Sequence, residues 1–143
     1  EAVRVGGARA AMSDARELVV VHTVTMRDEA DCAVCCLAML LGKTYADVLA
    51  ACRRPVREGL SDYQLRGVAR RLGFVVCYRR GAPDDDDVGI LDLGRNDDDD
   101  ARHVVMHLRG VVVDPRAPDE LWVDVDAYVR DRGWTIQGLW VRG

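Results

Sequence analysis

Three cysteines, Cys32, Cys35 and Cys36, fall within five positions in the stretch DEADCAVCCLAMLLGK. Cysteines at this spacing can bind zinc, cycle between thiol and disulfide, or fill a core. One of them, with a base beside it, can also attack a carbonyl. Zinc fits poorly. Cys32 and Cys35 have the C-x₂-C spacing, but a structural site needs a second tight ligand pair, usually in a loop. Here the pair opens an apolar run, and the only other close pair is His103 and His107 in a strand-like segment. A thioredoxin-like reading needs a βαβ pattern, and none follows. Cys35 and Cys36 therefore read as core, as free cysteines usually do, and Cys52 and Cys77 read the same way.

Cys32 differs by position. DCAVCCLAMLL reads as a helix closed by Gly42, with Asp31 as N-cap and Cys32 in the first turn. The first turn offers unpaired N–H groups and the positive end of the helix dipole. Both lower a thiol pKa, and the same N–H groups can stabilise an oxyanion. A nucleophilic cysteine also needs a histidine to take its proton and a third group to orient that histidine.

The chain has three histidines. His22 lies in the first strand-like run. The other two share ARHVVMHLRGVVVDPR, where Arg109-Gly110 reads as a two-residue hairpin turn. That turn pairs Leu108 with Val111, His107 with Val112 and Val105 with Asp114. Side chains alternate across a strand, so His103, His107 and Asp114 share one face. Asp114 sits diagonal to both histidines, and spacing alone does not choose between them.

The elements that position these residues are short. ELVVVHTVTMR reads as a strand. TYADVLAACRR reads as a helix capped by Thr44, and GLSDYQLRGVARRLGF as a helix with a Ser61/Gln64 capping box, ended by Gly73. Then come β-rich runs, FVVCYR, VGILDL, HVVMHL and VVVDP, a helix over VDAYVRDRG and a last strand over WTIQGLWVR. The Asp runs at 84–87 and 97–100 read as solvated loops. Helices before strands imply an α+β fold. Residues 1–16 are expected to be a flexible tail and 17–143 one domain, a length that buries a core without disulfide staples.

The net charge of −4 argues against nucleic acid as a partner. No apolar run reaches the roughly 20 residues of a membrane span, and the first residues carry no secretory h-region. Five cysteines without a disulfide-framework pattern point to a reducing, cytoplasmic setting. The chain can still be part of a larger protein. No cofactor and no metal are expected.

RDEADCAVCCLAM, the capped helix after it, and HVVMHL…VVVDP together resemble the C39 peptidase family of papain-like cysteine proteases, over roughly residues 26 to 115. That family includes bacteriocin leader peptidases that cut after a double glycine. The resemblance implies a papain-like fold, with N-terminal helices packed on a C-terminal antiparallel sheet. It implies Cys32 as nucleophile, His103 rather than His107 as base, and Asp114 as orienting carboxylate. Cys36 matches the family's structural second cysteine. The implied activity is hydrolysis of a peptide or isopeptide bond in a peptide or protein substrate; deamidation would use the same apparatus.

Two positions depart from the family pattern. Met26 stands where the family has an oxyanion glutamine, and Ala33 follows the nucleophile where glycine is usual. Losing one oxyanion donor costs about 10²–10³ in rate. Gln64 or Gln137 could replace it. The alternative reading is a weak or inactive papain-like module that binds a peptide or partner.

Overall fold

The computed structural model describes residues 31–53, 56 and 59–143, together with the backbone of three short strands at 2–4, 9–11 and 19–21. Those strands are β1 (Ala2–Arg4), β2 (Arg9–Ala11) and β3 (Val19–Val21). The elements that follow are α1 (Cys32–Leu41), α2 (Tyr45–Ala51), α3 (Asp62–Arg71), β4 (Val76–Arg80), β5 (Val88–Arg95), β6 (Asp98–Leu108), β7 (Val111–Val113), β8 (Glu120–Trp122), α4 (Val125–Arg132) and β9 (Thr135–Arg142). The fold is α+β, with the helices packed on an antiparallel sheet of seven strands in the order β1-β8-β7-β6-β5-β9-β4.

Helix α1 is the centre of the molecule. Every residue from Ala33 to Leu41 is buried, as expected of a helix apolar on all sides. Gly42 ends it in the left-handed conformation at φ 65°, where a side chain would be strained. Asp31 opens it through its backbone, its carbonyl accepting from the Cys35 N–H at 3.0 Å. The Asp31 carboxylate does not take the expected first-turn N–H; it accepts from the Tyr45 hydroxyl at 2.7 Å, tying the start of α1 to α2.

The other caps follow the local code. Thr44 and Asp47 form a capping box on α2, and Ser61 and Gln64 form one on α3. One sheet face packs Ile90, Met106, Leu108 and Trp140 against α1 and its neighbours. The other carries Leu91, Leu93, Val105, Val112 and Leu139, joined by Trp122 and by Tyr128 of α4.

The β6–β7 hairpin has the expected register, with His107 opposite Val112 and Leu108 opposite Val111. Its turn residues Arg109 and Gly110 both have positive φ, 49° and 91°, matching the right-handed twist of the strands they join.

Within residues 1–16 the structure describes β1 and β2, paired with β8 and β3. Three readings need correction. The Asp run at 97–100 is not wholly a loop, because β6 begins at Asp98, opposite Arg95. β8 had no counterpart in the sequence reading. Cys77 is exposed, not core, because β4 turns Val76 inward and Cys77 outward.

Candidate active site

The hairpin brings His103 and Asp114 together. His103 lies on β6, fully buried, and its Nε2 is 2.9 Å from Asp114 Oδ1. An ionised carboxylate only accepts, so Nε2 carries the proton and donates. In the neutral ring Nδ1 is then left as the acceptor. Nδ1 is buried, with no ordinary hydrogen bond among the described residues. The Cys32 thiol is near enough to the ring for each group to shift the other's pKa.

Cys32 occupies the first turn of α1 and is partly accessible, unlike Cys35 and Cys36, which are fully buried. Burial pushes its thiol pKa up. The neighbouring His103, the Val104 backbone N–H and the Arg116 guanidinium outweigh burial and bring it below the ordinary thiol value. Cys36 goes the other way, raised well above that value, first by burial and then by the negative charges of Cys32, Cys35 and Asp114. One helical turn thus separates a thiol disposed to ionise from one that stays protonated.

His103 and Asp114 support each other. Burial lowers the His103 pKa, but the hydrogen bond it donates to Asp114, and then the neighbouring Cys32, raise it above its usual value. Burial raises the Asp114 pKa, but the His103 hydrogen bond and charge, the Tyr128 hydroxyl and the Arg116 N–H bring it below the usual carboxylate range. Asp114 therefore accepts three bonds: His103 at 2.9 Å, the Arg116 backbone N–H at 3.0 Å and the Tyr128 hydroxyl at 2.6 Å.

Two aromatic residues close the site from the α4 side. Trp134 stacks on the His103 ring with centroids 5.7 Å apart and planes 28° off parallel. The Arg95 guanidinium lies over Trp134 at 4.2 Å. Tyr128 is fully buried. Neither Tyr128 nor Trp134 was foreseen as part of the site. Tyr128 lies in α4, where an aromatic reads as core, and Trp134 lies between α4 and β9, where no local pattern points to the site.

His107 takes a different role. It is buried, and its Nδ1 bonds the Asp87 backbone carbonyl at 2.9 Å. Its pKa falls below the ordinary value, chiefly through burial. The structure therefore separates two histidines that strand register left tied.

The oxyanion residue is less complete. Met26 and His22 lie outside the described residues. Gln64 is exposed and holds the Ser61 N–H at 2.8 Å in its capping box. Gln137 is exposed on β9, its side chain lying over Gly94. Among the described residues no group of three or more His, Cys, Asp or Glu is gathered as metal ligands.

The fold resembles that of the peptidase domain of Streptococcus ComA. ComA is described as a bi-functional ABC transporter involved in a quorum-sensing pathway. The two chains superpose with a TM-score of 0.57 at 14% sequence identity, over 85% of this chain and 98% of the ComA domain. At that identity the likeness shows the fold alone, an α+β fold like that of the ComA peptidase domain. No family model matches the sequence, and no curated protein matches it either. Among the described residues, no single helix is long and apolar enough to cross a membrane.

Proposed function

We propose that this protein is a cysteine peptidase of the C39-like, papain-like kind, hydrolysing a peptide or isopeptide bond. The observation that carries this reading is the buried His103–Asp114 hydrogen bond at 2.9 Å, with the Cys32 thiol at the start of α1 close enough to be electrostatically coupled to His103. His103 Nδ1 takes the thiol proton, and its imidazolium is held by Asp114 through Nε2. The thiolate attacks the carbonyl carbon, and first-turn N–H groups of α1 face the developing oxyanion. His103 then returns the proton to the leaving amine, and water releases the acyl group from Cys32. The substrate is a peptide or protein segment. As in ComA, the domain can serve within a larger protein.

The rival reading, a papain-like module that binds without catalysis, rests on Met26. It needs no reactive thiol. Alkylation with iodoacetamide near neutral pH, mapped by peptide mass spectrometry, separates the two. A peptidase has Cys32 reacting faster than the more exposed Cys77, with that advantage lost in His103→Ala. Cys77 reacting first would favour the binding module.

A further inference from the structure

Asp114 stands just beyond β7, with two oxygens of different surroundings. Oδ1 accepts from His103 Nε2 and from the Arg116 N–H. Oδ2 accepts from the Tyr128 hydroxyl at 2.6 Å. A carboxylate can turn about its bond to Cβ, and the His103 contact survives only while Oδ1 points at the ring. The phenol comes from a well-anchored element. Helix α4 is capped by Asp124, which accepts from the Asp126 and Ala127 N–H groups, and is ended by Gly133 at φ 72°. The Tyr128 ring meets Trp122 edge-on, centroids 5.5 Å apart at 76°.

We propose that Tyr128 is a positioning residue: its hydroxyl holds Oδ2 of Asp114 so that Oδ1 stays on His103. The proposal rests on the reading of Cys32 and His103 as a thiolate–imidazolium pair. Burial, then the Asp114 charge, push the Tyr128 pKa far up, so the phenol stays protonated and remains a donor. The charged and titratable groups facing this cluster among the described residues are Cys32 and Cys36 of α1, His103 of β6, Asp114 and Arg116 after β7, and Arg132 of α4. A filler of the α4-side core would need only the ring; a positioning residue needs the hydroxyl.

Tyr128→Phe keeps the ring and removes the donor. Two readouts test it: the pH at which the His103 imidazolium loses its proton, followed by histidine ring NMR, and the alkylation rate of Cys32 near neutral pH. Loss of one hydrogen bond should lower the His103 titration by about 0.5–1 unit and slow alkylation about 3- to 10-fold. Trp122→Phe, which disturbs the packing but leaves the hydroxyl, should lower the melting temperature without moving the titration.

An unmoved titration in Tyr128→Phe would overturn the proposal, as would an upward shift, which would mean the phenol only drains charge from Asp114. An equal shift in Trp122→Phe would also overturn it. Should Tyr128→Phe fail to fold, the wild type supplies the test. Its Tyr128 hydroxyl proton is expected as a slowly exchanging resonance that moves as His103 titrates, and indifference to that titration would refute the link. Unchanged Cys32 reactivity in His103→Ala would overturn both this proposal and the reading beneath it. A His103-dependent reactivity that ignores Tyr128→Phe overturns the Tyr128 assignment alone.

Discussion

Asp114→Asn tests the electrostatics with little change of shape. The amide oxygen is expected to stay at the Oδ1 position, where two donors, His103 Nε2 and the Arg116 N–H, both require an acceptor. The amide nitrogen then faces the Tyr128 hydroxyl, which can turn to accept. The bonds survive and the charge is lost. Two unit charges about 4 Å apart attract by about 4 kcal/mol at an effective dielectric of 20, which sets a ceiling. Charge-assisted hydrogen bonds measure about 1.5–3 kcal/mol. At about 1.4 kcal/mol per pH unit, the His103 titration should fall by about 1–2 units.

The sign follows from what the charge supports. Asp114 stabilises the imidazolium, so removing it favours the neutral thiol and neutral imidazole over the thiolate–imidazolium pair. Because the two groups titrate together, the shift belongs to the pair. The assay is histidine ring NMR across pH, alongside the Cys32 alkylation rate at neutral pH, which should drop about 10- to 100-fold. A titration unchanged within about 0.2 unit, or undiminished alkylation, would refute the claim that Asp114 supports His103.

Four other outcomes are expected. Met26→Gln should raise any measurable hydrolysis by restoring a side-chain donor, by up to about 3–4 kcal/mol in the transition state; an unchanged rate in a peptide-cleavage assay would mean another group fills that role. Leu37→Ala, at a fully buried position of α1, should cost about 2–5 kcal/mol by urea denaturation. Ser61→Ala should cost about 0.5–2 kcal/mol in the same assay by removing one arm of the α3 capping box. Asp114 has a folded pKa below its unfolded one, so its contribution to stability is present above about pH 3.9 and lost as pH falls through the lower folded value. The acid limb of a stability-versus-pH curve should therefore be flatter in Asp114→Asn.

What the sequence disclosed was local. The Ser61/Gln64 box and Gly42 could be read because a cap involves residues only a few positions apart. The β6–β7 register could be read because two turn residues fix it. Register could not separate His103 from His107, since both lie on the same face. The distinction comes from the Asp87 carbonyl, twenty residues away from His107 along the chain, and from the approach of α1 to His103. Tyr128 and Trp134 stayed hidden for the same reason: their role depends on how α4 packs over Asp114, which no local pattern encodes. The three residues of β8 were too few for alternation to show. Asp31 was placed correctly at the start of α1, but its carboxylate serves Tyr45, a tertiary contact that capping statistics do not reveal.

The most direct measurement is digestion of a random peptide library by the wild type, Cys32→Ala and His103→Ala, with products identified by mass spectrometry. The account predicts cleavage at a defined sequence by the wild type and none by either variant. Cleavage that persists in Cys32→Ala, or a wild type that binds peptides from the library and releases them all intact, would contradict it.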